Sequence, residues 1–533
     1  MNGGTPGPGS DSPGPDSPGP DSQEQVIRFL SDPAVFGPDT ERVDKIETHV
    51  SLVFLGADRV LKLKRAVSFP YLDFSTPELR RRACEAEIRI NRRTAPSIYL
   101  GVCAVTREAD GTLALDGHGE AVDWLVHMAR FDEQTLFDRL AQKGGLGRRL
   151  MEDLADAIAE FHQNAEPRTG SGGQAGIGMI VESNAECFAG IGDGILARPE
   201  TETLTRLTRA VLDDAGPVLD SRRESGRVRH CHGDLHLRNI CMVDGSPTLF
   251  DAIEFNEEFA HIDVLYDLAF LLMDLEHRNL RRLANILFNR YLDITGDGAA
   301  GLGGLRVLAL FLSMRAAIRS HVDAAQATAL TDPEKAGARA KESADYLEMA
   351  LNYLTPSVPR LVAVGGLSGS GKSRMARELA PHLGASPGAR VVRTDSIRKR
   401  LAGTPLTSRL GPEGYTAEMT ERTYRAMIEE AAEGLQAGQS VIADAVFAAP
   451  HERTAIAEVA GKAGVPFTGL WLEAPPDVMA LRVGERQNNI SDADAGVLEK
   501  QLSYDLGEID WHTIDSSGPR EDTEKAGREI IGD

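Results

Sequence analysis

The chain is short of several things that a protein of its size often carries. It has five cysteines in 533 residues, an odd number, and no two stand in a C-x-x-C pattern. That argues against a disulfide framework and a thiolate zinc site, and it suggests reduced thiols in a cytoplasm. No apolar run approaches the roughly 20 residues that a membrane helix needs. The N-terminus lacks the basic and apolar regions of a signal peptide, so no membrane association is expected. Lysine is scarce, with eleven residues, so most of the 58 basic residues are Arg. Positive charge is outweighed by 80 acidic residues, leaving a net charge of −22. Such a field repels nucleic acid and anionic lipid unless a local basic patch overrides it, so nucleic acid is not expected as a partner. It leaves room for phosphate ligands, because a phosphate site is a local arrangement of amides and a few cations.

Hydrophobic residues make up 42% and charged residues 26%, the balance of a soluble globular protein. The length calls for two or three domains. Residues 1–22 are almost entirely Gly, Pro, Ser and Asp, and cannot bury enough surface to offset ordering entropy, so they read as a disordered tail. From Gln23 the chain turns globular. Val50–Leu55 and Arg59–Val67 read as strands joined at Gly56-Ala57-Asp58, followed by a helix over Pro77–Arg93 and strands near Leu100–Val105 and Val122–Ala129. Leu150–His162 has the spacing of an amphipathic helix, and Gly170–Gly178 reads as a flexible loop. Two short apolar strands flank a polar loop within Val228–Phe255, and helices dominate from His261 to Leu354. After Pro356–Pro359 strand and helix signals alternate, with strands at Arg360–Gly365, Val391–Thr394, Val441–Asp444 and Pro466–Leu472, the pattern of a parallel α/β sheet. The chain thus divides into the tail, a domain over 23–330, a helical connector over 331–357 and a second domain over 358–533.

The second domain opens on Gly366-Leu-Ser-Gly369-Ser370-Gly371-Lys372-Ser373, which matches G-x-x-x-x-G-K-[ST] between a strand and a helix. The glycines let backbone amides turn inward around a phosphate, Lys372 reaches the terminal phosphates, and the Ser373 hydroxyl ligates Mg²⁺. Asp395, in Thr394-Asp-Ser-Ile-Arg398, and Asp444 stand at the ends of strands, where carboxylates face the ligand crevice of a doubly wound sheet. Asp395 suits the role of base toward an attacking hydroxyl, Asp444 that of a metal ligand, and Arg482 and Arg486 that of mobile cations on the transferring phosphoryl group. Each aspartate alone would also serve as a helix N-cap.

The first domain concentrates polar residues in His230-Cys-His232-Gly-Asp234-Leu-His236-Leu-Arg-Asn239, with Phe250-Asp251 after the next strand. Phosphoryl transfer needs a carboxylate to orient the acceptor hydroxyl, metal ligands to bridge the phosphates and a Lys to hold them. His232-x-Asp234-x-x-x-x-Asn239 has the spacing of a kinase catalytic loop, Asp251 offers a second metal ligand, and Lys62 with Glu87 supplies the phosphate-holding pair. Lys64 lies on the same strand face as Lys62, Glu85 competes with Glu87, and Glu254 competes with Asp251, so each pair stays open. His230, His232 and His236 stand at alternate positions, without the carboxylates of a zinc site. His162, Trp124 and Trp471 read as structural. The helix bearing Arg80–Arg82 and Arg92–Arg93, interleaved with Glu, reads as a solvated face.

On these motifs the first domain resembles the aminoglycoside phosphotransferase and choline kinase superfamily, and the second resembles small P-loop kinases such as gluconate kinase and zeta toxin. The joined arrangement resembles bacterial bifunctional aminoglycoside phosphotransferase/ATP-binding proteins. The resemblance implies an α+β protein-kinase-like domain followed by an α/β P-loop domain with a parallel sheet, both using ATP and Mg²⁺. It implies Asp234 as base, Asn239 and Asp251 as metal ligands, Lys62 as nucleotide lysine, Val126–Phe131 as the adenine hinge and His232 as a support of the loop. In the second domain it implies Asp395 as base or substrate contact, with Arg398 beside it. The expected acceptors are a small polar molecule (an amino sugar, amino alcohol or sugar) for the first domain and a sugar-like or nucleotide hydroxyl for the second. Asp263, Asp267 and Asp274 are compatible with a cationic acceptor. Two other classes compete: a nucleotide-binding regulator in which one half gates the other, and a P-loop ATPase that phosphorylates no small molecule. The sequence is silent on oligomeric state.

Overall fold

A computed structural model describes residues 20–69, 72–192, 194–254, 257–299, 301–484, 492 and 495–532. The tail assigned to 1–22 lies outside the described residues as far as residue 19, and a helix, α1 (Pro20–Leu30), starts at Pro20. The chain divides into two compact units, residues 1–136 with 239–260, and residues 137–238 with 261–533. Among the described residues no helix is long and apolar enough to cross a membrane.

The first unit is built on a six-stranded antiparallel sheet: β1 (Asp44–Glu47), β2 (Ser51–Leu55), β3 (Arg59–Lys64), β4 (Tyr99–Arg107), β5 (Leu113–Leu115) and β6 (Glu120–Ala129), in the order β1-β2-β3-β6-β4-β5. Helix α2 (Pro77–Asn91) follows Thr76, whose hydroxyl accepts the Leu79 N–H as an N-cap, and Pro77 fits the first turn. The alternation of β2 and β3 sends Phe54, Leu61 and Leu63 into one core, with Val26 and Leu30 of α1, while Leu55, Val60 and Val126 join Cys84 and Ile88 of α2 in another. Gly56, at the β2–β3 turn, is required by crowding: a Cβ there would sit 2.4 Å from the Phe36 ring. Arg80 departs from the expected solvated face. It is 2% exposed and makes a two-pronged ion pair with Asp123 of β6, 2.7 and 3.0 Å, because its helix lies against that strand. Its neighbours Arg81 and Arg82 bind Glu78 on the exposed side. A hairpin of Ile240–Val243 and Ser246–Leu249 completes the unit.

The second unit includes helices α3 (Arg148–Asn164), α4 (Gly173–Ala189), α5 (Arg198–Glu224), α6 (Val264–His277), α7 (Arg281–Thr295), α8 (Gly304–Ala329) and α9 (Pro333–Tyr353). Helix α4 overturns the expected loop at 170–178. Ile177, Val181 and Phe188 recur at helical spacing and are buried, and that apolar stripe outweighs the poor propensity of three glycines. Arg222 of α5, 2% exposed, binds Asp263 and Asp297 with two prongs each, at 2.7 to 3.1 Å.

The same unit then forms a five-stranded parallel sheet from β7 (Leu361–Gly365), β8 (Arg390–Arg393), β9 (Val441–Asp444), β10 (Phe467–Glu473) and β11 (His512–Asp515), in the order β8-β9-β7-β10-β11. Helices α10 (Lys372–Leu379), α11 (Thr394–Leu401) and α12 (Ala417–Gln436) lie among the connections. Strand β7 is buried at every residue. Leu361 and Ala363 face a core with Met427 and Leu435 of α12, while Val362 and Val364 face Met375 and Leu379 of α10. Helices on both faces explain why this strand reads as continuously apolar.

Candidate active sites

In the first unit the candidate site grows out of β3 and α2. Successive residues on a strand point to opposite faces, so Lys62 and Lys64, two apart, share one face. Both reach Glu87 of α2, Lys62 Nζ at 2.8 Å and Lys64 Nζ at 2.7 Å. Lys62 also binds Asp251 at 2.7 Å, and Lys64 binds Glu254. Exposure separates the lysines: the Lys62 side chain is 12% exposed and the Lys64 side chain 0%. Glu85 points the other way and binds Arg81 at 3.0 Å. Burial works against the Glu87 charge, yet the two ammonium groups outweigh it and hold the carboxyl down at about 2. The lysines are raised despite burial by the carboxylates around them. Burial pushes the Glu254 carboxyl up, as expected of a third acid beside two bases.

Asp251 takes a left-handed backbone, φ 60°, uncommon for a residue with a Cβ. Its N–H donates to the Tyr99 hydroxyl at 3.0 Å, and the next N–H, of Ala252, donates to Asn91 Oδ1 at 2.8 Å. These bonds fix the turn that lays the Asp251 carboxylate on Lys62. Asn239 is 7% exposed, and its carbonyl accepts the Phe250 N–H. Phe131, at the end of the segment Val126–Phe131 expected to be the hinge, meets the Phe250 ring edge-on at 5.3 Å.

In the second unit the loop carrying Asp234 is held from below. The His232 and Gly233 N–H groups donate to the two oxygens of Asp267 on α6, at 3.0 and 2.8 Å. Asp267 is fully buried and also meets His162 Nε2 of α3 at 3.1 Å, while His162 Nδ1 meets the Tyr291 hydroxyl of α7 at 2.9 Å. His236 Nε2 lies 3.3 Å from Asp234 Oδ2. Desolvation acts to raise the Asp234 carboxyl, but His236, then His232 and Arg315, outweigh it and hold it below the usual carboxylate range. The one group of three potential metal ligands among the described residues is His162, Cys231 and Asp267. Both His162 nitrogens are already engaged, so this cluster serves as a scaffold. The acids suggested for a cationic acceptor are likewise occupied: Asp263 by Arg222 and the α6 N-terminus, Asp267 by the loop, Asp274 by the Leu237 N–H and Arg278.

At the glycine-rich turn, Gly366, Gly369 and Gly371 all have positive φ, at 139°, 90° and 95°. A Cβ on Gly369 would stand 2.5 Å from the Met479 carbonyl, and one on Gly366 2.6 Å from that of Leu472, so glycine is demanded by space as well as by conformation. Lys372 is the first residue of α10, with Ser373 next, and Ser370 is fully buried with its Oγ unpartnered. Ser516 and Arg482 brace the turn. Ser516 Oγ donates to the Ser370 carbonyl at 2.7 Å, and Arg482 binds the Ser516 carbonyl at 2.7 Å and the Gly369 carbonyl at 3.5 Å. Asp444 ends β9 at 3% exposure. Its Oδ2 accepts from Arg393 at 3.1 Å, and its Oδ1 is buried without a partner. A cradle closed to side chains, the orphan hydroxyl and the orphan carboxylate oxygen fit a nucleotide phosphate with its magnesium ion. Asp395 is the second residue of α11, half-buried. Arg398 donates to the Gly414 carbonyl at 2.9 Å and stacks on Tyr415, which in turn binds Asp492. Arg486 lies outside the described residues.

Several site residues escaped the sequence reading. Arg393 directly precedes Thr394-Asp395 and was within reach of it; Ser516, Gln501 (which accepts the Ser368 N–H at 2.7 Å) and Tyr99 carry no local signal, since their partners are far along the chain.

Residues 72–307 match the model of the phosphotransferase enzyme family, and residues 361–504 match that of an AAA domain. An uncharacterized protein of Mycobacterium tuberculosis is 29% identical over 496 residues, 91% of this chain and 94% of that protein. An adenylyl-sulfate kinase of Myxococcus xanthus is 34% identical over 117 residues, 22% of this chain and 59% of that enzyme. Among solved structures, a choline/ethanolamine kinase family protein of Mesorhizobium loti is 14% identical with a TM-score of 0.36, covering 62% of this chain and 99% of that one. The chain joins a phosphotransferase-family domain to a P-loop AAA-type domain, and it is a kinase that uses ATP with Mg²⁺ and a hydroxyl acceptor.

Proposed function

We propose that the chain is bifunctional, each domain transferring the γ-phosphoryl group of ATP to an acceptor hydroxyl. The first domain takes a small polar alcohol such as an amino sugar, amino alcohol or sugar, and the second takes a sugar-like or nucleotide hydroxyl. In the first domain Asp234 orients the incoming hydroxyl and accepts its proton, and its low pKa keeps it ionised at neutral pH. Lys62, steadied by Glu87, holds the nucleotide phosphates, while Asn239 and Asp251 are the metal ligands and His232 supports the loop. In the second domain the amides of Gly366–Ser373 and Lys372 hold the phosphates. Ser373 and Asp444 serve the metal, Asp395 receives the proton, and Arg398, Arg482 and Arg486 serve acceptor and leaving charge. Bound magnesium would neutralise charge between the β- and γ-phosphates. The single observation carrying this reading is the phosphate cradle: three left-handed glycines leading directly into Lys372 at a helix N-terminus, with an unpartnered buried carboxylate oxygen at the neighbouring strand end.

The test is metabolite profiling with labelled ATP on the full chain and two variants. Asp234→Asn is expected to remove one labelled product while ATP still binds, and Lys372→Ala a second one with weakened nucleotide binding. ATP consumption with no labelled small molecule in any extract would assign the chain to ATPases or regulators instead.

A further inference from the structure

Strand β8 is an edge strand of the parallel sheet, and on its outer side it meets a helix of the phosphotransferase-type domain. Helix α7 turns Asn285, Asn289 and Asp293, spaced by four, toward it. Asn289 Oδ1 accepts the Val391 N–H at 2.7 Å, and the Ala389 carbonyl accepts from Asn285 Nδ2 at 3.0 Å and Asn289 Nδ2 at 3.1 Å. Two amide side chains thus occupy backbone groups that another strand would otherwise take. One turn on, Asp293 Oδ1 pairs with Arg390 at 2.7 Å, and Oδ2 accepts the Ser396 hydroxyl at 2.8 Å. All three residues are at least 94% buried: Asp293 is 6% exposed, Arg390 1% and Ser396 1%. Arg390 and Ser396 flank Arg393, Thr394 and Asp395, so Asp293 grips the strand–helix corner from both sides. Tyr291, on the opposite side of α7, holds His162, which holds Asp267 and so the two amides before Asp234.

We infer that Asp293 is a positioning residue for Asp395, so that the P-loop site is completed by a helix of the other domain. This rests on the role proposed for Asp395. Interface burial alone does not require Asp293 to act this way: Arg282 of α7 makes a two-pronged pair with Glu378 of α10 in the same interface, remote from the corner. That pair is the internal control.

The test uses the full chain and Mg·ATP as the probe. Backbone hydrogen exchange is measured over 390–401, and Lys372-dependent ADP release, with water as the acceptor and inorganic phosphate as the second product, gives kcat and KM. Asp293→Ala is expected to speed exchange over 390–401 at least tenfold and lower kcat at least tenfold, with KM for ATP within twofold. Asp293→Asn, which keeps the acceptor for Ser396, should recover part of both effects. Ser396→Ala, a milder change, should move both in the same direction, and Arg282→Ala should move neither. Unchanged exchange over 390–401 in Asp293→Ala and Ser396→Ala overturns the inference. If Lys372→Ala leaves ADP release intact, the proposed P-loop function fails instead, and the exchange comparison still decides whether Asp293 sets the corner.

Discussion

Glu87→Gln isolates the electrostatics of the first unit. Glu87 is 0% exposed and accepts from Lys62 and Lys64 at 2.8 and 2.7 Å. The substitution keeps shape and removes the charge. Breaking one side of a buried ion pair costs about 3–5 kcal/mol. The lower end applies here, because Asp251 still faces Lys62 and Glu254 still faces Lys64. A second route gives the same size. The carboxyl falls from its ordinary 4.5 to about 2, and at ~1.36 kcal/mol per unit that shift is worth roughly 3 kcal/mol. The folded pKa is depressed, so this stability is complete above pH ~4.5 and is lost as pH falls toward 2. Denaturant-dependent hydrogen exchange of β2 and β3 should show the variant less stable by about 3 kcal/mol at pH 7, with the gap narrowing below pH ~4.5. A difference under ~1 kcal/mol at pH 7, or one that does not shrink in acid, would refute the reasoning.

Other outcomes follow from the second unit. Gly369→Ala should weaken nucleotide binding at least tenfold by titration, since its Cβ would meet the Met479 carbonyl at 2.5 Å with φ at 90°. Arg222→Ala should cost about 3–5 kcal/mol in denaturant unfolding, because it strands Asp263 and Asp297 in the interior. Asp267→Ala should lower the kcat of the Asp234-dependent reaction with little change in ATP affinity, because it frees the His232 and Gly233 amides from their anchor.

What the sequence made legible was local. The glycine run before Lys372, the alternation of β2 and β3 and the apolar β7 each carry their signal within a few residues. The reading kept Lys62 and Lys64 as alternatives, and the geometry explains why: they share a face and a partner, and differ only in how deeply each is covered. Long-range pairing stayed hidden. Arg80 looks like one charge among many until β6 brings Asp123 to it from 43 residues away. Helix α4 was masked by its glycines, because burial of Ile177 and Val181 depends on neighbours that composition does not name.

The seat of α7 on β8 bears on how the protein can be handled. A break near residue 357, where the domain change reads so clearly in sequence, would strip Asn285 and Asn289 from the sheet. The Val391 amide and the Ala389 carbonyl would then present themselves to solvent and to any passing chain, an invitation to intermolecular β-pairing. The excised half would also leave Arg390 without its carboxylate on α7. Recombinant fragments of the P-loop half are therefore expected to aggregate unless α7 travels with them, and the fusion of the two halves is itself a solubility device.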